Sequence, residues 1–369
     1  MTARKFGSPG LYIQGPGELK NVREHLAGMG TSFLVIASPR RINDLGVELK
    51  ESFGEGYKIV FADFGGESSR KEIARLVDVA EQENCSCIIG MGGGKVIDTA
   101  KSVAYACGSP CVIIPTIAAS DAATTRCACI YNEDGSEAGE DSFDRNPDIV
   151  LVDSQIIANA PVRFLLAGIG DAFAKIVCAT TCYNGYRDNE LGGKATELGY
   201  EVAKLSYELI IEHGMAAKLA CEKNVVTKDL EKIIETNILL AGIGCEVNGG
   251  TTDHGFYTGF CELQNRKEIM LHGEYVSFST LATLVLQGAP KKQLDEMFGF
   301  CAAVGLPVCL EDIKMDYMSE DDYRIVAECV VNLPPTKNHP FEVTVEEAIA
   351  AMKTADEIGK LYKAGGKLA

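Results

Sequence analysis

The chain has 369 residues, 46% hydrophobic and 24% charged, which is material for two domains and not the composition of a disordered chain. A net charge of −17 excludes an electrostatically driven nucleic-acid partner, because phosphates would be repelled rather than neutralised. Apolar runs fall short of the roughly 18 residues of a membrane span, so no membrane partner is expected.

The opening MTARKFGSPGLY carries no apolar signal segment. The fourteen cysteines include no C-x-x-C pair and read as buried free thiols in a cytoplasmic setting. Along the first half, strand and helix alternate. Residues 10–15 (GLYIQG) predict a short opening strand and NVREHLAGMG a helix stopped by glycine. Residues 32–38 (SFLVIAS) are apolar throughout, as a parallel strand buried on both faces would be. A helix follows over INDLGVELKESFG, a strand over residues 57–64, and a serine-opened amphipathic helix over SSRKEIARLVDVAEQENC. Residues 87–90 predict a strand, 94–107 a helix and 110–115 another strand. This alternation predicts a parallel sheet wound by helices. CACIYNEDG and DIVLVDS, within residues 127–152, read as a β-ribbon appended to it. Beyond residue 160 come long helical segments at 165–183, 195–213, 230–245 and 276–286. The chain thus divides into an α/β nucleotide-binding domain, residues 1–160, and an all-α domain, residues 161–369.

Ligands of an open α/β sheet bind beyond the carboxyl ends of its strands. One such end carries Gly90, Met91, Gly92, Gly93, Gly94 and Lys95 directly before a helix, where glycines permit close backbone approach and helix-start amides favour phosphate. The run is neither a Walker A motif, since Val96 follows Lys95, nor G-x-G-x-x-G. The next strand end, IPTIAASDAATT, adds the hydroxyls of Thr116, Ser120, Thr124 and Thr125, and together the two ends predict a pyrophosphate groove. In the helical half, Asp171 follows a Gly-Ile-Gly turn, and His254 and His272, two of only five histidines, each precede glycine. One carboxylate and two imidazoles suit zinc or ferrous iron and leave a coordination position open. The residues alone leave the alternative standing: a helix-capping aspartate and two structural histidines.

Four linked segments carry a further signal: GMGGGKVIDTAKSVA, IPTIAASDAATTRCACIYNEDG, DIVLVDSQIIANAPVRFLLAGIGDAFAK and LHGEYVSFSTL. In order and spacing they resemble the glycerol dehydrogenase branch of the iron- or zinc-dependent (group III) alcohol dehydrogenase family. The resemblance implies a dehydroquinate-synthase-like fold, with cofactor and metal in the cleft between two domains of a cytoplasmic, homo-oligomeric enzyme. It aligns Asp171, His254 and His272 with the metal ligands. Gly92, Gly93, Gly94, Lys95 and Thr116 align with cofactor phosphate contacts, and Ser38, Asp98, Thr125, Cys127 and Tyr131 complete the expected NAD or NADP site. Asp121 aligns beside the substrate hydroxyls, where it could accept a hydrogen bond from the second hydroxyl of a vicinal diol. The implied reaction oxidises glycerol or a related diol to the hydroxyketone, and the reverse, the cation favouring the alkoxide that passes hydride to nicotinamide.

Two departures accompany the resemblance. Many relatives read H-A-x-H-N-G after the second ligand, whereas this chain places Tyr257 at the later histidine. NAD-using relatives tend to carry aspartate where this chain has Ser38, and Pro39, Arg40 and Arg41 follow, so NADP is expected to serve at least comparably to NAD. Two other readings stay open at this point: a 2-oxoacid reductase using NADPH, which would need a carboxylate-binding cation in its pocket, and a metal- and nucleotide-binding protein without turnover.

Overall fold

The computed structural model describes residues 2–265 and 269–368. Six strands, β1 (Leu11–Gly15), β2 (Ser32–Ala37), β3 (Lys58–Asp63), β4 (Cys87–Gly92), β5 (Cys111–Pro115) and β8 (Ile149–Asp153), form a wholly parallel sheet in the order β1-β8-β5-β4-β2-β3. A separate antiparallel ribbon pairs β6 (Cys127–Tyr131) with β7 (Glu137–Ser142). Helices α1 (Val22–His25), α2 (Pro39–Phe53), α3 (Arg70–Gln82), α4 (Gly94–Ala106) and α5 (Ser154–Ala158) accompany the strands. The helical half comprises α6 (Val162–Asn184), α7 (Glu197–Glu222), α8 (Lys228–Glu235), α9 (Ala241–Asn248), α10 (Asp253–Leu263), α11 (His272–Leu286), α12 (Lys291–Val304), α13 (Glu320–Asn332) and α14 (Val345–Lys363).

The uniform apolarity of the central strands has a direct cause. On β2, Phe33, Val35 and Ala37 enter a core with Leu49 and Phe53 of α2, while Leu34 and Ile36 enter the core on the opposite face. That second core runs on through Val96 and Ala100 of α4 into Ile169 and Phe173 of α6 and Phe278 of α11. One apolar body therefore joins the sheet to the helices and fixes the strand ends against them.

Three expectations need correction. DIVLVDS is not ribbon: β8 lies inside the parallel sheet between β1 and β5, and all five of its residues are buried, as a strand covered on both faces requires. The Gly-Ile-Gly before Asp171 is not a turn but the interior of α6, so Asp171 caps no helix. The segment NVREHLAGMG yields only a short 3₁₀ turn, Glu18–Asn21, and the four-residue α1. Residues 230–245 are helical throughout as expected, with a π-helical turn, Thr236–Leu240, between α8 and α9. Helices α10, α12, α13 and α14 were not foreseen at all. The first of these matters most, since it opens on Asp253 and carries His254 in its first turn.

Candidate active site

The glycines around Asp171 explain how the site is assembled. A Cβ on Gly170 would collide with the backbone carbonyl of Gly273, and one on Gly273 with the carbonyl of Ala167. Backbone-to-backbone contact between α6 and α11 is possible only with glycine at both positions. It brings Asp171, in the middle of α6, against His272, the first residue of α11, with His272 Nε2 3.9 Å from Asp171 Oδ1. Gly168 serves the other side: a Cβ there would strike the carbonyl of Ala118 and the side-chain amide of Asn237. Asn237, in the π turn, donates from Nδ2 to the carbonyls of Ala118 (3.0 Å) and Leu165 (2.9 Å) and so pins the loop after β5 onto α6. π turns are often retained at functional sites for such re-aiming of side chains.

His254 arrives from α10. Its Nδ1 lies 2.8 Å from Asp253 Oδ2, which fixes the tautomer with the proton on Nδ1 and leaves the Nε2 lone pair free. Asp253 is fully buried, and its other oxygen accepts from Cys178 Sγ (3.0 Å) and Thr251 Oγ1 (3.2 Å). Burial opposes its charge, but His254 outweighs that and holds the carboxyl well below the usual range. The outcome is that donor atoms of Asp171, His254 and His272 all lie within 4.8 Å of one another. Asp171 is 1% exposed, whereas the His254 and His272 side chains are 37% and 30% exposed, so the cluster opens on its histidine side. Burial also works against the Asp171 carboxylate; Lys175 and the two imidazoles overcome it and keep the group ionised. Tyr257 stands edge-on to His272, ring centroids 4.5 Å apart, as an apolar wall in the place of the expected histidine.

Of the predicted cofactor residues, Gly92, Gly93, Gly94, Lys95 and Thr116 gather at the ends of β4 and β5, while Ser38 follows β2 and Cys127 and Tyr131 lie at the two ends of β6. Thr116 N donates to the Gly92 carbonyl at 2.9 Å, locking the two strand ends side by side. Gly92 and Gly93 are packing glycines, since a Cβ would meet Val96 at 2.7 Å or Ile117 at 2.9 Å. Gly94 differs, with nothing within 4 Å of its Cβ position, and it opens the 13-residue α4, whose first amides have no partner within the helix. Lys95 pairs with Glu67 at 2.6 Å and lies over the Tyr131 ring at 4.6 Å. Asp98 is placed otherwise: it is buried on α4, 2.9 Å from Lys101. Lys101 in turn donates to the carbonyls of Ala122 and Cys127, so this pair shapes the loop that carries Asp121 and Thr125. Thr125 is buried, and Ser38 caps α2 by accepting from Arg41 N at 3.3 Å. Arg40 and Arg41 both face Asp44, at 3.6 and 3.5 Å.

The loop after β5 reaches α6. Asp121 donates its backbone N–H to Asp171 Oδ2 at 3.3 Å, and its Oδ2 lies 3.0 Å from Lys175 Nζ. Sequence reasoning missed Lys175, Asp253 and Asn237. Lys175 stands one helical turn after Asp171, and that spacing alone places the two on one face. Asp253 abuts His254 in sequence, a visible pairing. Asn237 left no signal, because its role depends on the π turn.

An open parallel sheet with a glycine turn at its carboxyl edge, and one carboxylate and two imidazoles that converge, fit the class of metal-dependent enzymes that bind a dinucleotide. Comparison with known proteins agrees. Residues 9–154 match the iron-containing alcohol dehydrogenase family. The chain is 40% identical to glycerol dehydrogenase of Thermotoga maritima over 96% of its own length and 97% of the relative's. It is 36% identical to glycolaldehyde reductase of Halobacterium salinarum, with 96% and 98% covered. A crystal structure of a probable glycerol dehydrogenase from Sinorhizobium meliloti superposes with a TM-score of 0.89 at 34% identity, covering 98% of this chain and 99% of that one. The chain belongs to the iron-containing alcohol dehydrogenase family.

Proposed function

We propose that the enzyme oxidises glycerol or a related vicinal diol to the hydroxyketone, and catalyses the reverse, with a nicotinamide cofactor and one divalent cation. The observation that carries this reading is the convergence of Asp171, His254 and His272 beside the loop that joins Asp121 to the end of β5. The donor set fits zinc or ferrous iron: three groups, one anionic, are close enough to share one ion and are open on the histidine side. When bound, the cation supplies Lewis acidity and the nicotinamide ring supplies the hydride acceptor. The chain does the rest. Asp253 presents His254 Nε2, and Asp121 accepts a hydrogen bond from the second hydroxyl of the diol. The amides at Gly94 and Lys95 hold the pyrophosphate between the strand ends. Residues 1–160 carry the cofactor in this reading and residues 161–369 the metal.

Relatives named glycerol dehydrogenase and glycolaldehyde reductase support a polyol or 2-hydroxycarbonyl substrate. The oxoacid alternative needs a free cation near the ligands. Among the described residues, Lys175 stands beside them and is already held by two carboxylates. For the cofactor, the uncharged Ser38 and the nearby Arg40 and Arg41 support use of NADP alongside NAD. None of the fourteen cysteines is in a disulfide, which suits a cytoplasmic setting, and among the described residues no helix is long and apolar enough to cross a membrane. Leu198, Leu205 and Leu219 stand exposed along α7, a surface suited to self-association. A spectrophotometric screen of polyols, simple alcohols and 2-oxoacids with both cofactors tests the proposal. Glycerol or a 1,2-diol should give the highest kcat/KM, and a preference for a 2-oxoacid would overturn it.

A further inference from the structure

Lys175 lies beside the ligand cluster and does more there than keep Asp171 ionised. It lies on α6 one turn beyond Asp171, with its side chain 4% exposed. Its Nζ donates a hydrogen bond to Asp171 Oδ1 at 3.0 Å and stands 3.0 Å from Asp121 Oδ2. The two contacts differ in kind. The one to Asp171 is a directed hydrogen bond. Asp121 Oδ2 is buried and has no hydrogen-bond partner, so the contact that holds it is with the ammonium charge. The main-chain link from Asp121 N to Asp171 Oδ2 makes the two carboxylates neighbours. Even so, Asp121 contributes no atom to the converging donor cluster.

Resting on the proposed function, we infer that Lys175 is a positioning residue that keeps the Asp121 carboxylate away from the catalytic cation and available to substrate. The reasoning is electrostatic. Two carboxylates this close and this buried repel each other, and both are attracted to a dication. A fixed ammonium between them offsets one of the two negative charges and gives Asp121 Oδ2 a partner. Take that charge away and the orphaned oxygen is best satisfied by turning to the ion as an added oxygen donor. That would fill the position that a catalytic site must keep open. Lys175 therefore weakens metal binding and, by doing so, preserves turnover. Merely structural damage would lower both together, so opposite changes in affinity and rate are the signature.

The test is a Zn²⁺ titration of chelator-stripped, refilled protein against a chromophoric competitor, with thermal melts alongside. The chains are wild type, Lys175→Met and Lys175→Gln, each with and without Asp121→Asn. Glutamine retains a hydrogen-bond donor for Asp171 without the charge, and it carries the test if the methionine variant does not fold. Both variants should bind Zn²⁺ at least tenfold more tightly than wild type while losing at least tenfold in kcat on glycerol. Adding Asp121→Asn should erase the gain in affinity. With Co²⁺ in place of Zn²⁺, the visible absorption should change in the Lys175 variants in the sense of an added ligand. Unchanged or weaker Zn²⁺ binding in the folded variants, or a gain that survives Asp121→Asn, would overturn the inference. A wild type that oxidises no diol would instead overturn the proposed function, and the Zn²⁺ titration would still judge Lys175.

Discussion

The substitution Gly273→Ala probes the architecture of the site without touching a donor atom. The added Cβ would fall far inside the 3.0 Å that real Cβ contacts keep, against the carbonyl of Ala167, with Asp171 N a further 3.1 Å neighbour. All the obstructing atoms belong to helix backbone, so no side chain can rotate away. Relief requires α11 to move off α6 by about 1 Å or more, and overpacking of that kind costs about 1–3 kcal/mol in stability. The same movement carries His272 away from Asp171. Loss of donor geometry on this scale should weaken metal binding by about 100-fold, or about 2.7 kcal/mol. The assay is a Zn²⁺ titration of stripped protein at a temperature where melting curves show the variant folded. Gly299→Ala, inside α12, where a Cβ would meet nothing nearer than a Tyr362 ring carbon at 3.7 Å, controls for a glycine-to-alanine change in another helix. A folded Gly273→Ala variant with wild-type Zn²⁺ affinity would refute the idea that this backbone contact sets the ligand geometry.

Three further outcomes are expected. Asp253→Ala, which frees the His254 ring and leaves Cys178 without its acceptor, should lower metal affinity 10- to 100-fold with little change in cofactor affinity; equal losses in both would point to global damage. Asp121→Ala should reduce kcat/KM for diols more than for simple primary alcohols, by about 1.5–3 kcal/mol for a lost charge-assisted hydrogen bond. An equal loss on both substrate classes would make Asp121 structural. Wild-type enzyme should use NADP(H) at least comparably to NAD(H), and Ser38→Asp should swing the kcat/KM ratio toward NAD(H) by placing like charge against a 2′-phosphate. A wild type preferring NAD(H) by more than about tenfold, or about 1.4 kcal/mol, would mean that Asp44 holds Arg40 and Arg41 as ordinary surface charge.

The parallel sheet was legible because its central strands are covered on both faces and are apolar almost throughout. The same property misled at β8. DIVLVDS looked like a neighbour of the ribbon it follows, but its partners are β1 and β5, and long-range pairing leaves no mark in a local window. The two histidines and Asp171 were visible as residue types, and the resemblance to a family gave them roles. What sequence did not disclose was the reason they meet. Gly168 and Gly170 looked like turn glycines, yet both lie inside α6, and with Gly273 they mark the places where backbones touch. Glycine serves both purposes, and only the partner element tells them apart. Lys175 stayed hidden for a related reason, since the i,i+4 spacing to Asp171 was readable but the second carboxylate, Asp121, comes from another element.

The central claim is that one divalent ion held by Asp171, His254 and His272 is required for turnover. Its most direct test is to strip the enzyme with a chelator, titrate Zn²⁺ back, and record bound metal and glycerol-dependent reduction of the nicotinamide cofactor on the same sample. Activity should rise in proportion to bound metal and saturate at one ion per chain, while His272→Ala should bind no ion tightly and recover no activity. Full turnover in metal-free enzyme, or stoichiometric tight metal binding by His272→Ala, would contradict the account.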